Sequence, residues 1–571
     1  MKTNNFYILG ISCGYHDSAA ALIKNGEVVG AVEEERFTGI KHDSTFPINT
    51  INWLLKNEGI TPDDINVVTF YEIPTTKIDR IEKSTKRGGF LNEINRQKII
   101  YNNKYEYKKL EKEIKKLFPT SELFHTEHHL SHLAYSFYTS PYDRSMIVSV
   151  DGVGEWETTV IAYGEENRIV KLQSVEFPNS LGMLYSVFTA FLGFKPNEGE
   201  YKVMGLAPYG DYKKYLSKFS QLISPTDDGG YKINMEYFTY DWDDKSMFNE
   251  KLGELFHLPN RLPDEEITQD HKDLAATLQH EYEHYFFRLL NRAIALRPTN
   301  NVCLSGGCAY NGTANGKITY MTPFKGLWIP PAPSDAGSSC GAALEYFYSK
   351  NKQVERPDNS NPFLGPWYSK EDILKSLNDF EKDVYYEWKS QDMMIPYIAQ
   401  QITENNIVGI LQGRMEFGAR ALGNRSIFAN PRDPQMKSRL NKVIKKREGF
   451  RPFAPMCTFD SLTAYFEYSS EIPYMNQVVP VQERFRTELP SITHVDGSAR
   501  VQTITQQSNR YIHSLLLSLY KINSFPIVIN TSFNLKDQTM VLTPDDAIKT
   551  FLNCEMDILI LGSYVVKKKI L

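Results

Sequence analysis

Cysteine is scarce in this sequence, long apolar runs are missing, and basic charge is not in excess. The six cysteines include no Cys-x-x-Cys pair, so reduced and mostly buried thiols are predicted rather than a disulfide scaffold or a structural zinc site. No apolar stretch approaches the roughly 18 to 20 residues that a membrane helix needs, and the start MKTNNFYILGIS lacks the ordered regions of a signal peptide. We therefore expect a cytoplasmic protein with no membrane partner.

The charge balance also argues against a nucleic-acid partner. Acidic residues outnumber basic ones, 69 to 64, and the formal net charge is −5. A chain with this balance has no overall basic field to hold a polyanion, so any anion site is expected to be local. Apolar residues make up 41% of 571 residues, which is typical of a globular protein large enough for at least two domains. The oligomeric state stays open.

The first part of the chain contains a repeated pattern. The segments YILGIS, AAALI and VVGAVEEER predict a meander of three strands, with the polar turn CGYHDS after the first strand. About 140 residues later SMIVSV, TTVIAYG and RIVKLQSVEF repeat it, with DGVGEWE as the first turn. The recurrence indicates a duplicated actin-like ATPase arrangement, in which paired turns face one another across a cleft. Two unrelated β-meanders are the alternative.

A glycine-rich turn follows a later strand in the same region. The segment NVCLSGGCAYNG predicts a strand that ends before a helix, and its candidate nucleotide-binding residues are Gly306, Gly307 and Asn311. Free N–H groups and the helix dipole favour anions at such a place. Close packing of the backbone would explain the glycines equally well.

A domain boundary is predicted where periodicity stops. Residues 351–367, NKQVERPDNSNPFLGPW, are polar and contain prolines but show no helical or strand pattern. We place an N-terminal domain at 1–355 and a second domain at 356–571, where helices and strands alternate as in a smaller α/β domain. Residues 76–117 are rich in Lys, Arg and Asn and predict a solvated helical insertion, with a docking patch as the alternative.

Residues 124–137, FHTEHHLSHLAYSF, predict a helix rich in histidine. At 100° per residue the buried stripe consists of Leu130, Leu133, Ala134 and Phe137. His128 and His132 share the opposite face, one turn apart, while His129 lies between the faces and His125 precedes the predicted N-cap Thr126.

Two imidazoles one turn apart can bind one metal ion, as in the HExxH helices of metallopeptidases. The peptidase interpretation fails, because position 129 is His where that motif needs a general-base Glu. Asp151, in the turn after the second repeat's first strand, and Asp335, in PSDAG, are candidate carboxylate ligands. Mixed His and Asp ligands suit Fe²⁺, Mn²⁺ or Zn²⁺. The alternatives are a hydrated pair of histidines, a helix cap at Asp335 and a brace of the turn at Asp151.

Basic residues concentrate in the second domain, in GRMEFGARALGNRS and VIKKREGFRPFAP. They are Arg414, Arg420, Arg425, Lys445, Lys446, Arg447 and Arg451. Interspersed glycines favour convergent phosphate recognition over a solvated face, since arginine forks and lysine charges suit phosphate oxygens. Arg500, Ser532 and Asn534 are placed to complete such a site. The aromatic-basic interleaving of a single-stranded nucleic-acid platform is missing.

These residues resemble the ATP-dependent O-carbamoyltransferases of the NodU/CmcH type, and the resemblance covers essentially the whole chain. The motifs that carry it are HDSAAALI, EEERFTGIKHDSTFP, EHHLSHLAYS, DGVGE, EYKVMGLAPYG, LSGGCAYN, PAPSDAGSSCGAAL, GRMEFGARALGNRS, REGFRPFAP and NTSFN. The resemblance implies an actin-like N-terminal domain, similar to enzymes of tRNA threonylcarbamoyl-adenosine synthesis, and a C-terminal YrdC-like domain.

The resemblance also implies the reaction. The YrdC-like domain would convert carbamoyl phosphate and ATP, with Mg²⁺, into carbamoyl-adenylate, and the N-terminal domain would pass the carbamoyl group to a hydroxyl of a small-molecule acceptor. The implied metal ligands are His128, His132, Asp151 and Asp335, with iron as the metal, and the implied carbamoyl phosphate and nucleotide contacts are Lys445, Arg451, Arg500, Ser532 and Asn534.

The acceptor hydroxyl needs a base, and His16, next to Asp17 in the first turn, is our candidate. Ala419 stands where the family usually has proline, which should only loosen a turn. Asp537 and Gln538 stand where the family usually has Gly-Glu, so we assign these two no role. The acceptor pocket is expected near the insertion at 76–117 and the aromatic-acidic stretch 237–244, because neither belongs to the family motifs. The alternative functions are a nucleotide-binding regulatory protein and threonylcarbamoyl modification of tRNA, and the missing basic field argues against the second.

Overall fold

The computed structural model describes residues 5–84, 90–243 and 245–569. Residues 85–89 of the predicted insertion, and residue 244 at the end of the aromatic-acidic stretch, lie outside the described residues. The chain forms two compact units: Met1–Ala31 with Ser44–Ser360, and Val32–Asp43 with Asn361–Leu571. Nothing in the sequence pattern predicted that residues 32–43 would join the second unit.

The first unit contains two five-stranded sheets of the same topology. Their strands are β1 (Tyr7–Ser12), β2 (Ala19–Lys24), β3 (Glu27–Glu33), β4 (Ile65–Phe70), β5 (Glu122–His125), β6 (Arg144–Val150), β7 (Glu157–Glu165), β8 (Arg168–Glu176), β11 (Asn301–Ser305) and β12 (Gly326–Trp328); the short pair β9 (Ile223–Pro225) and β10 (Tyr231–Ile233) stands apart. The first sheet has the order β3-β2-β1-β4-β5 and the second the order β8-β7-β6-β11-β12.

Strand pairing confirms the duplication. In each sheet the first strand, β1 or β6, pairs antiparallel with the strand that follows it and parallel with the next strand on its other side, β4 or β11. Unrelated meanders would not both acquire the two added parallel strands in the same order. The predicted actin-like arrangement and the α/β fold class are therefore confirmed by the topology.

The helices of the first unit are α2 (Ile48–Glu58), α3 (Pro74–Ser84), α4 (Phe90–Leu117), α5 (His128–Tyr138), α6 (Leu181–Phe191), α7 (Glu200–Leu206), α8 (Leu216–Phe219), α9 (Glu250–Phe256), α10 (Gln269–Leu296), α11 (Gly312–Asn315), α12 (Ile318–Met321) and α13 (Asp335–Lys350). Two of them position the candidate site: α13 packs against β1 and β2 of the first sheet, and α5 packs against β6, β7 and β11 of the second. The two helices also pack on each other.

The close approach of α5 and α13 depends on small residues in α13. A Cβ atom added at Gly341 would lie only 1.8 Å from the carbonyl oxygen of Ser131 in α5. A Cβ at Gly337 would lie 2.5 Å from the ring of Tyr135. Glycine lets the two backbones meet at a distance that any side chain would prevent. The first turn of α13 is thereby held beside the histidines of α5.

The second unit is built on one nine-stranded mixed sheet, with the order β13-β21-β20-β14-β15-β19-β16-β18-β17. Its strands are β13 (Val384–Trp388), β14 (Val408–Leu411), β15 (Arg425–Ala429), β16 (Ala454–Thr458), β17 (Gln477–Pro480), β18 (Ser498–Ile504), β19 (Ile527–Ser532), β20 (Ile558–Leu561) and β21 (Tyr564–Lys568), and its helices are α1 (Glu35–Thr38), α14 (Lys370–Asp379), α15 (Gln391–Thr403), α16 (Met436–Arg439), α17 (Leu462–Tyr465), α18 (Arg510–Asn523) and α19 (Pro544–Leu552).

Separate apolar layers cover the two faces of this sheet. Val408 and Ile410 of β14 belong to the layer of α15 and α18, while Leu411 belongs to the layer of α14 and α19. The alternation along one strand shows that both faces are buried, as expected for an α/β domain. The α/β class predicted for the second domain is confirmed.

Across the described ranges, no helix has both the length and the apolar composition needed to cross a membrane.

Candidate metal centre and phosphate-binding site

Every residue of helix α5 is buried except the half-buried Leu130, which corrects the surface that the helical wheel predicted. His128, His129 and His132 are 3%, 0% and 1% exposed. The face opposite the leucine stripe does not meet solvent, because α13 covers it. The alternative of a hydrated pair of histidines is therefore wrong. The predicted N-cap Thr126 is also wrong, because the helix begins at His128 after Glu127.

Four buried side chains converge at one point between α5 and α13. The Nε2 atoms of His128 and His132 lie 2.9 and 3.2 Å from Oδ2 of Asp151 and 3.1 Å from each other. Oδ1 of Asp335 lies 3.5 Å from Nε2 of His132 and 3.8 Å from that of His128. One ligand atom from each of the four residues lies within 4.8 Å of all the others.

This donor set fits a divalent metal ion. The two ring nitrogens, 3.1 Å apart, and the two carboxylates converge closely enough to share one cation. A cation placed among them would neutralise both carboxylates and accept both nitrogen lone pairs. Imidazole and carboxylate ligands together suit a borderline or hard divalent ion.

The charges within the cluster support one another. Burial opposes ionisation of Asp151, but hydrogen bonds from His128 and His132 outweigh burial and hold the pKa of Asp151 well below its usual value. Burial would lower the pKa of His132, yet hydrogen bonds to Asp151 and Asp335 raise it to about 9. The carboxylates are thus ionised at neutral pH, as metal ligands need to be, and a metal ion would displace the proton that they hold on His132.

The glycine turn predicted for nucleotide binding lies against the metal ligands. The backbone N–H of Gly307 donates to Oδ1 of Asp151 at 2.9 Å, and the N–H of Gly306 donates to the carbonyl of Pro333 at 2.8 Å. Gly306 has φ +84°, and a Cβ there would lie 2.3 Å from the carbonyl oxygen of Val150. The turn therefore links the segments that carry both aspartates. A nucleotide-binding role for these glycines stays a prediction.

Asn311, the third residue of that prediction, is engaged within the protein. Its side-chain oxygen accepts from the N–H of Ala314 at 3.1 Å and from the amide of Gln279 at 3.0 Å. It caps the short helix α11. Its role toward a nucleotide also stays a prediction.

Sequence reasoning missed two residues that orient the histidines. Glu155, in the turn DGVGE, accepts the backbone N–H of His128 with both carboxylate oxygens at 3.1 Å and the N–H of Ile73 at 2.7 Å. Its negative charge lies at the N-terminus of α5, where the helix dipole favours it. The hydroxyl of Ser338 lies 3.0 Å from Nδ1 of His132 and fixes that ring. The position of Glu155 four residues after Asp151 was the available indication.

The other two histidines lie outside the cluster. His129 places Nδ1 2.9 Å from the hydroxyl of Ser149 and Nε2 3.0 Å from the carbonyl of Glu157, so both ring nitrogens have partners in the second sheet. His125 ends β5, with its ring centre 6.0 Å from that of Phe70.

The candidate base His16 lies beside the metal ligands. Its Nδ1 is 3.1 Å from Oδ2 of Asp17, and its Nε2 is 4.0 Å from Oδ2 of Asp335. Burial would lower the pKa of His16, but Asp335 and Asp17 raise it to about 9. The turns of the two repeats and the N-terminus of α13 thus bring His16 to the edge of the cluster.

In the second unit, Lys445 forms hydrogen bonds with two of the other residues predicted to bind phosphate, Ser532 and Asn534. Its buried ammonium donates to the carbonyl and hydroxyl of Ser532 at 2.6 and 3.2 Å, and to the carbonyl and side-chain oxygen of Asn534 at 3.0 and 2.7 Å. Burial and the nearby Arg447 and Arg451 hold the pKa of Lys445 well below its usual value. A crowded set of cations of this kind favours an anionic ligand.

Arg451 and Arg500 differ in position. Arg451 follows Lys445 by six residues and has Glu448 3.9 Å away. Arg500 lies on β18, which pairs with β16, and β16 pairs in turn with the strand that carries Ser532. Their contacts with a nucleotide or carbamoyl phosphate stay a prediction.

Other members of the basic cluster have structural roles, which corrects the idea that the whole cluster converges on phosphate. Arg425 is fully buried and donates to the carbonyls of Gln412 at 2.8 Å and Pro366 at 2.9 Å. Arg414 donates to the carbonyls of Gly365 and Leu364. These guanidinium groups satisfy backbone carbonyls of their own loop, at Gln412, and of the upstream segment 364–366.

Buried carboxylates shape the same loop. One oxygen of Glu416 accepts the backbone N–H groups of Leu422, Asn424 and Arg425 at 2.8, 2.8 and 3.1 Å. Glu33, in the segment that joins this unit from residues 32–43, accepts the N–H of Gly418 at 2.8 Å. These residues were not singled out from the sequence, because each acts through backbone contacts that only the fold defines.

Comparison with solved structures gives distant similarities. One is component A of (R)-2-hydroxyglutaryl-CoA dehydratase from Acidaminococcus fermentans, with a TM-score of 0.34, 14% identity, and coverage of 60% of this chain and 98% of that chain.

Comparison of sequences gives much closer relatives. The uncharacterized protein sll1178 of Synechocystis sp. is 39% identical, over 98% of this chain and 97% of its own length. Nodulation protein NolNO of Sinorhizobium fredii is 33% identical, over 97% of this chain and 79% of its own length. The family described as carbamoyltransferase N-terminus matches residues 7–344, and the family described as carbamoyltransferase C-terminus matches residues 399–568. The resemblance inferred from the motifs is thereby confirmed: the chain belongs to the carbamoyltransferase family and is a carbamoyltransferase.

Proposed function

We propose that this enzyme is an ATP-dependent O-carbamoyltransferase that works in two steps. The second unit forms carbamoyl-adenylate from carbamoyl phosphate and ATP with Mg²⁺. The first unit transfers the carbamoyl group to a hydroxyl of a small-molecule acceptor. The observation that carries the proposal is the position of His16, with Nε2 4.0 Å from Asp335, at the edge of a buried metal-binding cluster.

The first step needs a site for phosphate groups. Carbamoyl phosphate loses phosphate to water and leaves carbamate, whose oxygen attacks the α-phosphorus of ATP and displaces pyrophosphate. Lys445 supplies positive charge held by Ser532 and Asn534, and Arg451 and Arg500 are assigned to the same substrates. Charge-assisted hydrogen bonds from these groups would stabilise the charge that develops on the phosphate oxygens.

The second step needs a base for the acceptor hydroxyl and stabilisation of the negative charge on the leaving group, AMP. The acceptor hydroxyl oxygen bonds to the carbamoyl carbon, the bond from that carbon to the phosphate oxygen breaks, and AMP leaves with the electron pair. His16, held by Asp17, takes the proton of the hydroxyl in its neutral form, and the fraction of that form grows as pH rises toward its pKa of about 9. A metal ion held by His128, His132, Asp151 and Asp335, which we assign as Fe²⁺, would supply Lewis-acid polarisation.

The experiment is a His16→Asn variant assayed for each step. We expect carbamoyl-phosphate-dependent pyrophosphate release to stay at the wild-type rate while carbamoyl transfer falls by about 100-fold or more, in line with a lost general base. A His125→Asn variant serves as the matched control and should keep both activities. Full transfer by the His16 variant would remove the assignment, and loss of both steps would indicate misfolding or a single merged site.

A further inference from the structure

Helix α3 carries a buried cation that has no ion pair among the described residues. Arg80 is only 8% exposed, and its Nε has no hydrogen-bond acceptor. Within the described part of the chain, no carboxylate forms an ion pair with its guanidinium. The group lies over the ring of Phe177, 4.9 Å from the ring centre. Burying a charge without a partner is unfavourable, so such a group is expected where a ligand supplies the opposite charge.

Burial lowers the pKa of Arg80 more than the charges of Glu72 and Glu155 raise it, and both carboxylates are engaged with other donors. Glu72 accepts from the ammonium of Lys77 at 3.0 and 3.1 Å and from the hydroxyl of Tyr107. Glu155 accepts the backbone N–H groups of Ile73 and His128, as described above. Neither carboxylate hydrogen-bonds to Arg80. The guanidinium fork thus keeps its capacity for two parallel hydrogen bonds to an anion.

A continuous path of side chains leads from α3 to the candidate base. Lys77, one helical turn before Arg80, has its ammonium 5.8 Å from the centre of the Tyr15 ring. That ring lies 4.5 Å from the ring of His16, whose Nε2 is 4.0 Å from Asp335. Tyr15 is 55% exposed and the side chain of His16 is 21% exposed, so in the described part of the chain a molecule from solvent can reach this side of His16.

The same place joins the two segments that the family motifs leave unassigned. Phe177, under Arg80, has its ring centre 6.0 Å from that of Tyr240, and the hydroxyl of Tyr240 donates to the carbonyl of Pro178 at 2.7 Å. Arg80 comes from the insertion at 76–117, and Tyr240 from the aromatic-acidic stretch. We expected the acceptor pocket near both segments.

We propose that Arg80 anchors an anionic group, a carboxylate or a phosphate, on the acceptor, so that the acceptor is a hydroxylated organic anion. Arg80 binds that group while the hydroxyl at the other end of the acceptor reaches His16. The inference rests on the proposed function, because the enzyme has an acceptor only if it transfers the carbamoyl group to a hydroxyl. Binding of an anion at Arg80 can be measured without any turnover.

The test uses inorganic phosphate as the probe. A Lys445→Ala background weakens phosphate binding in the second unit, and calorimetric titration of the metal-loaded full chain then reports the remaining phosphate sites. We expect one site whose Kd rises at least tenfold in Arg80→Gln and is unchanged in Lys83→Gln, an exposed cation of the same helix that pairs with Asp79 at 2.9 Å. Absence of the site, or equal binding by Arg80→Gln, would overturn the proposal.

Saturation with AMP distinguishes the two sources of an anion. If Arg80 serves the acceptor, AMP leaves phosphate binding at this site unchanged. Competitive displacement of phosphate by AMP would overturn the proposal and assign Arg80 to the phosphate of the adenylate.

Folding of Arg80→Gln is checked by its melting temperature, which we expect to be no lower than that of the background protein without phosphate. Arg80→Lys, which keeps the charge and loses the fork, should bind phosphate with intermediate affinity. Pyrophosphate release by the wild type tests the proposed function separately.

Discussion

At the scale of single residues, the identities of the four candidate ligands could be selected from the sequence, but their surroundings could not. Helical spacing placed His128 and His132 together and away from the leucine stripe, and the structure brings both to Asp151. The wheel contains only the residues of its own helix. The wheel could not show that α13 covers the second face. It therefore predicted neither the burial of the histidines nor the true start of the helix, after Glu127 instead of Thr126.

Removal of both ring ligands should release the metal. In a His128→Ala/His132→Ala double variant we expect metal affinity to fall by more than about 100-fold, since loss of groups that only support ligands already costs 10- to 100-fold. Metal content after dialysis, measured by mass spectrometry, checks this. His125→Ala is the control and should bind metal like the wild type. A double variant that kept its metal would place the site elsewhere.

Truncation of Lys445 should affect the first step. Lys445→Ala removes an ammonium that four acceptors orient, and loss of a hydrogen bond from a charged group costs about 1.5 to 3 kcal/mol, or roughly 10- to 150-fold. We expect the apparent affinity for carbamoyl phosphate, from initial rates of pyrophosphate release, to fall by that factor. The exposed neighbour Lys446 provides the control Lys446→Ala. Equal loss in both variants would show a diffuse charge effect.

The pH dependence of carbamoyl phosphate binding follows from the same lysine. Burial and neighbouring cations lower the pKa of Lys445, so its charged form is lost at a lower pH than that of a free lysine. Affinity should therefore be greatest at lower pH, once the substrate phosphate is ionised, and should weaken as pH rises through the pKa of Lys445. In Lys445→Arg, which stays protonated, the alkaline fall should disappear. A fall of the same size in both proteins would contradict this assignment.

At the scale of elements, the duplication was the most predictable feature, because each repeat shows its strands and polar turn in local pattern. The packing of α13 on α5 was not predictable, since it depends on glycines spaced along a helix whose partner is about 200 residues away. The placement of residues 32–43 in the second unit was unpredictable for the same reason. It depends on contacts between residues far apart in sequence, such as the hydrogen bond from the N–H of Gly418 to Glu33.

Filling the contact between α5 and α13 should disturb the metal site and stability together. In Gly341→Ala the added methyl would lie 1.8 Å from the Ser131 carbonyl, and overpacking of this kind costs about 1 to 3 kcal/mol. We expect a lower melting temperature and weaker metal binding, because α13 carries Asp335. Gly449→Ala, whose methyl would have no neighbour within 4 Å, should change neither. Normal metal binding by a destabilised Gly341→Ala would show that α13 does not position Asp335.

At the scale of the whole molecule, the family and the α/β class could be predicted because motifs extend along the entire chain. The grouping of Lys445 with Ser532 and Asn534, almost 90 residues apart, came from the family resemblance rather than from spacing. The number of basic residues in the cluster led to the prediction that all of them bind phosphate. Arg414 and Arg425 instead donate to backbone carbonyls. Charge counts do not distinguish a guanidinium that braces a loop from one that binds substrate.

The central claim is that the enzyme activates carbamoyl phosphate as an adenylate before transfer. The most direct measurement is pyrophosphate release by the metal-loaded protein with ATP and Mg²⁺, with and without carbamoyl phosphate and without an acceptor. We predict release of pyrophosphate that depends on carbamoyl phosphate and is accompanied by an equal amount of inorganic phosphate. Absence of release with every divalent metal tried, or release independent of carbamoyl phosphate, would contradict it.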